Sequence, residues 1–164
     1  LEEVTFRRVV IPVQELLDTA GKYFRKSMKN RTERIELEIG TVDAKVIGDL
    51  NQLRFLLENL IDEALAVHED GLLRLQARQD DEYIRFLFTD TRREKSMEEL
   101  NLLFYPNLAR MTSGEKGELR GTEYLVCKQI IRDHDEFAGR RGCRINAEPA
   151  ADGGFTVYFT VPRR

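Results

Sequence analysis

The stretch DLNQLRFLLENLIDEAL, residues 49–65, constrains the fold more than any other part of the chain. Leu50, Leu53, Leu57, Leu60, Ile61 and Ala64 recur at helical spacing and make one apolar stripe. A helix of this kind must bury its stripe against another layer. Asp49 stands where an N-cap belongs and Gly71 marks a stop, so the spacing predicts a helix over 49–68.

The segments around it alternate in character. Residues 13–29 read as an amphipathic helix, with Leu16, Ala20, Tyr23, Phe24, Ser27 and Met28 on one face and Pro12 suited to its first turn. RIELEI (34–39) and AKVIGD (44–49) read as short strands. LLRLQAR (72–78) and YIRFLFTD (83–90) read as a hairpin around QDDE. A helix is expected near 96–104 and another over 122–134, with Tyr124, Leu125, Cys127, Ile130 and Ile131 inward. Between them, 106–121 holds three glycines and many charges and reads as a mobile, lid-like loop. CRINAEP (143–149) and FTVYFTVP (155–162) close the chain as strands joined by AADGG. Helices and strands come in runs rather than strict βαβ alternation. That predicts an α+β fold, a two-layer sandwich with a mixed sheet and helices on one face.

Composition narrows the function. The 164 residues fit one domain spanning 1–164, with a leading helical part at 1–30. Apolar residues make up 41% and charged residues 34%, a globular composition with a charged surface. The net charge of −3 argues against a nucleic-acid partner, which wants a basic excess. The arginine pairs 92–93 and 140–141 read as solvated edges. Cys127 and Cys143 lack metal-ligand spacing and read as small core residues. No run reaches the ~18 apolar residues of a membrane helix, so no membrane insertion is expected. Leu1 in place of methionine, and no signal peptide, suggest the C-terminal, cytoplasmic part of a larger, membrane-linked protein.

Three motifs in order resemble the ATPase domain of the gyrase, Hsp90, histidine kinase and MutL group, the Bergerat-type fold. In DLNQLRFLLENLIDEAL, Asp49, Leu53, Leu57, Asn59, Leu60 and Ala64 fall in register with the family's N-box helix. LFTDTRRE is similar to the G1 box, D-x-G-x-G at a strand end. LRGTEYLVCKQIIRDH is similar to the G2 box and its helix through Gly121, Lys128, Gln129, Ile130 and His134. The resemblance covers about residues 10–164.

The resemblance implies a nucleotide site, with ATP and Mg²⁺ as its cofactors if functional. Asp90 takes the position of the acid that accepts a hydrogen bond from the adenine amine, a donor that suits a carboxylate acceptor. Asn59 takes the first of two metal- and phosphate-binding asparagines; the second position is Glu63. Four-residue spacing puts both on one helix face, and glutamate can ligate Mg²⁺. Without metal, a carboxylate about 4 Å from a phosphate is repelled by about 4 kcal/mol at an effective dielectric of 20. The alternative is that Glu58, Asp62 and Glu63 are the solvated face of an amphipathic helix. Gly121 is the one G2 glycine kept; the others are Leu119 and Glu123. Arg92 and Glu94 stand where the G1 glycines belong, so the loop is expected to take another path, and Arg92 is bulky enough to fill the adenine pocket. Lys116 and Arg120 are the loop cations within reach of phosphate.

No phosphoacceptor motif is present. His68 reads as a helix-end residue and His134 as structural. Two functions therefore stay open. One is a degenerate ATPase-like domain, a pseudokinase with no expected cofactor, binding the rest of a sensor protein, a dimer mate or a response regulator. The other is a divergent but active histidine kinase domain phosphorylating a His upstream. An unrelated structural α+β domain is the third reading.

Overall fold

The computed structural model describes residues 5–106 and 122–164. Strand β1 (Val9–Pro12) leads into helix α1 (Val13–Met28), then β2 (Ile35–Ile39), β3 (Lys45–Gly48) and α2 (Leu50–Leu65). The hairpin β4 (Gly71–Asp80) and β5 (Tyr83–Asp90) follows, then α3 (Met97–Asn101), α4 (Glu123–Phe137), β6 (Ile145–Pro149) and β7 (Phe155–Pro162). Five strands form a sheet in the order β2-β4-β5-β7-β6. Only β2–β4 is parallel, so the sheet is mixed, as the sequence predicts.

Period-two alternation decides which face of the sheet is covered. On β5, Ile84, Phe86, Phe88 and Asp90 are buried while their neighbours are not. Phe86 stacks on its cross-strand partner Phe159 with centroids 4.7 Å apart. The opposite face is closed by arginines. Arg74 pairs with Asp152 at 2.7 Å, and the Arg85 guanidinium lies 4.6 Å from the Tyr158 ring centroid. Helices therefore pack on the apolar face, giving a two-layer sandwich.

Helix α2 touches both α1 and α4. Leu53, Leu56, Leu57, Leu60, Ile61 and Ala64 are buried, and Leu50 lies at the margin. Asp49 caps the helix by accepting from the Gln52 N–H at 3.0 Å. The Asp49 N–H in turn donates to Nε2 of His134 at 3.0 Å, while Nδ1 of His134 donates to the Ile130 carbonyl at 2.8 Å. This network assigns His134 a neutral tautomer, and burial lowers its pKa. The structural reading of His134 holds.

Several expectations need correction. Residues 9–12 form a strand missed by pattern reading, because four residues with burial eeBe show no alternation. That strand pairs with β3 as a separate antiparallel ribbon, so AKVIGD does not join the main sheet. Pro12 ends β1 and occupies the N-cap position, not the first helical turn. Helix α2 stops at Leu65 rather than 68, and Gly71 opens β4 instead of ending the helix. His68 lies past the helix end, with Nδ1 2.5 Å from Glu33 Oε1. Cys127 is buried, Cys143 is half-buried and both are free thiols. Leu125 is half-buried rather than core. The loop expected at 106–121 lies, apart from Pro106, outside the described residues.

Candidate functional site

Glu63 and Asp90 meet at a cavity where the C-terminal ends of α2 and β5 approach the start of α4. Alternation along β5 brings Asp90 to the helix-covered face, where its side chain is 6% exposed. A cavity of ≈ 80 Å³ opens beside it, lined among others by Glu63, Ala64, Phe88, Asp90, Tyr124 and Phe155. Gly154, at φ +79°, packs so closely that a Cβ there would lie 1.9 Å from the Asp90 carbonyl oxygen. Asp90 and the floor of the cavity are thus held by the β5–β7 pairing.

The carboxylate of Asp90 is already engaged. Arg92 donates from its backbone N–H to Oδ1 at 3.0 Å, from Nε to Oδ1 at 2.9 Å and from Nη2 to Oδ2 at 2.9 Å. Those bonds fill three of the roughly four acceptor positions of a carboxylate. The remaining donors turn to the C-terminal end of α2 and the chain beyond it. Nη2 reaches the Ala64 carbonyl at 2.6 Å, and Nη1 reaches those of Val67 at 3.0 Å and Glu69 at 2.9 Å. All five guanidinium N–H donors have acceptors, and the Arg92 side chain is 2% exposed. A cation at a helix C-terminus is also favoured by the helix dipole.

The chain makes room for this arginine. Gly71 sits at φ +147°, and a Cβ there would lie 2.5 Å from Cγ of Arg92. The expected detour after Asp90 is present, because neither Arg92 nor Glu94 has positive φ. The reading of pair 92–93 as a solvated edge fails for Arg92. It holds better for Arg93, which is half exposed and ion-paired with Glu69 at 2.6 Å. That pairing holds the Glu69 carboxyl below its usual range.

The N-box positions are placed as the helical spacing requires. Asn59 is buried, but its Nδ2 donates to the Phe55 carbonyl one turn back at 2.7 Å. Glu63 is half-buried at the cavity wall. Glu123 brings a second carboxylate, with Oε2 buried and without a hydrogen bond to any described residue. The two together help push the buried Cys127 thiol up, after the larger effect of desolvation. The solvated-face reading fits the exposed Asp62 better than Glu63. Among the described residues no group of three or more His, Cys, Asp or Glu side chains is placed to hold a metal. Gly121, Lys116 and Arg120 lie outside the described residues. The sequence reading missed Tyr124 and Lys95 as site walls; Lys95 Nζ lies 5.4 Å from the Phe155 ring centroid.

Among the described residues no helix is long and apolar enough to cross a membrane. The chain is 24% identical over 163 residues to the signal transduction histidine-protein kinase BaeS of Escherichia coli (strain K12), covering 97% of this chain. It spans about a third (33%) of that relative's length. Its fold matches the mycobacterial sensor histidine kinase MprB with TM-score 0.72 at 20% identity, covering 96% of this chain and 99% of that one. It also matches the nucleotide-free catalytic domain of the histidine kinase ThkA with TM-score 0.71 at 17% identity, covering 96% and 98%. Residues 48–164 match the model of the histidine kinase-, DNA gyrase B- and HSP90-like ATPases, and the chain belongs to that family.

Proposed function

We propose that this domain is a degenerate ATPase-like domain of a bacterial two-component sensor histidine kinase, serving mainly as a binding and regulatory module. The observation that carries this reading is the engagement of Asp90 by Arg92. Arg92 leaves at most one acceptor position, on Oδ2, for an adenine amine, and moving Arg92 would strip a buried carboxylate of its counter-ion. The cavity of ≈ 80 Å³ is small against the roughly 300–1,000 Å³ of ordinary ligand sites. By the family resemblance, Glu63 and Glu123 stand at positions that face nucleotide phosphates, where carboxylates are unfavourable. The described residues fit ATP and Mg²⁺ poorly, and no chemical step is derived through them.

Family membership supports the second reading, a divergent active kinase that keeps Asp90 and Asn59 and phosphorylates a histidine in another segment. One similar structure is that of ThkA in complex with the response regulator TrrA, and another is full-length ShkA in complex with AMPPNP. By that likeness, the partners proposed for this domain are the rest of a sensor protein, a dimer mate or a response regulator, on the cytoplasmic side of a membrane-linked protein.

Isothermal titration of the domain with ADP and a non-hydrolysable ATP analogue, with and without Mg²⁺, tests the choice. No heat at millimolar nucleotide is the expected result. Metal-dependent binding that disappears in Asp90→Asn would overturn it in favour of the active kinase.

A further inference from the structure

The second arginine pair, 140–141, leads to a different surface. Arg140 lines an open groove of ≈ 270 Å³ between the β1–β3 ribbon and the C-terminal end of α4, together with Arg8, Val10, Ile47, Gly139 and Arg163. The groove shares none of these residues with the Asp90 cavity.

Its chemistry is lopsided. Three arginines line it and no acidic residue does. Arg140 donates to the Glu82 carbonyl at 3.0 Å and stands 3.4 Å from that residue's carboxylate at the rim. Arg163 donates from Nε to the Asp81 carbonyl at 2.7 Å. Carbonyls orient a guanidinium but do not neutralise it. Arg8 is exposed and makes no hydrogen bond or ion pair with any described residue. It comes so close to Gly139, at φ +100°, that a Cβ there would lie 2.8 Å from Nη1 of Arg8. Among the described residues, three cations therefore face one rim carboxylate.

Apolar groups stand among these charges. Val9 and Val10 are 45% and 43% exposed, and Ile47 is the cross-strand partner of Val10. Scattered exposed valines need no explanation. Apolar side chains ringed by guanidinium groups that outnumber the rim carboxylate are an amphipathic surface, and a matching ligand carries acids and aliphatic groups together. A nucleic acid suits it poorly, because the groove lining offers no aromatic face for a base.

We infer that this groove docks an acidic protein segment whose carboxylates meet Arg8, Arg140 and Arg163 while interspersed aliphatic side chains lie on Val10 and Ile47. This interaction stands whether or not the Asp90 site takes nucleotide.

The test uses amide NMR on the isotope-labelled 164-residue chain. The probe is a short synthetic peptide alternating glutamate and leucine, set against glutamate–serine and lysine–leucine peptides of equal length. The glutamate–leucine peptide should shift amides at 8–10, 47, 138–140 and 163 with micromolar affinity. Arg8→Glu/Arg140→Glu should weaken binding about tenfold or more, and Val10→Ser should weaken it severalfold. Arg8 has no partner among the described residues and Arg140 only an exposed one, so these variants keep the fold. The inference is overturned if shifts fall elsewhere, if charge reversal leaves affinity unchanged, if the serine peptide binds as tightly, or if nothing binds at millimolar probe.

Discussion

Gly71 and Arg92 occupy one slot: the missing Cβ of the first is the space through which the stem of the second passes, 2.5 Å from Cγ. The pairing couples the first residue of β4 to the loop after β5 and fixes the guanidinium between Asp90 and the end of α2. Replacing Gly71 by alanine adds a steric clash to a backbone conformation that L-residues rarely adopt. Gly71→Ala should cost about 1–3 kcal/mol in urea unfolding, and part of that cost should vanish in an Arg92→Ala background.

Removing Arg92 alone leaves a buried charge without its counter-ion. Arg92→Ala should destabilise the domain by about 3–5 kcal/mol. Arg92→Lys should recover little, because an ammonium cannot supply the five forked donors used here. The double variant Arg92→Ala/Asp90→Asn should be more stable than the sum of its parts by about 0.5–3 kcal/mol. Strict additivity in that cycle would mean the two side chains do not share an interaction.

His134 ties stability to pH. It is buried and neutral, and its pKa is lowered by desolvation below the ordinary histidine value. The unfolded chain therefore binds a proton more readily than the folded one. Its contribution is complete above about pH 6.5 and is lost as pH falls from there through the lower folded value. The urea midpoint should drop over that window in the wild type and drop less in His134→Gln.

Gly48 guards the same histidine. A Cβ at 48 would lie 2.8 Å from Nε2 and 2.9 Å from Cδ2 of a ring held by two hydrogen bonds. Gly48→Ala should therefore cost about 1–3 kcal/mol, the usual price of overpacking, and thermal unfolding reads it directly.

Neither cysteine should behave as a reactive thiol. Burial pushes Cys143 up to about 12, and Cys127 is raised by burial and by Glu123 and Glu63. Both should label slowly with a disulfide-exchange reagent in the native chain and rapidly after unfolding. Fast labelling of either in native buffer would contradict the packing.

The sequence by itself determined the layers. Apolar spacing in 49–65 and alternation in 83–90 each commit a segment to one buried face, and local chemistry is enough to announce such elements. The resemblance carried by the three motifs named Asp90, Asn59 and Glu63 as candidates for one nucleotide site. Tertiary structure alone decided what those residues touch. The four-residue β1 carries no periodic signal and exists because β3 pairs with it. Arg92 looked like half of a solvated pair, since two adjacent arginines are locally indistinguishable. Only the meeting of β5, the α2 end and Gly71 gives one of them a carboxylate, three carbonyls and a missing side chain to lie against. Asp90 is two residues away, but the carbonyls and Gly71 come from residues 64–71, and no local pattern encodes a contact across that distance.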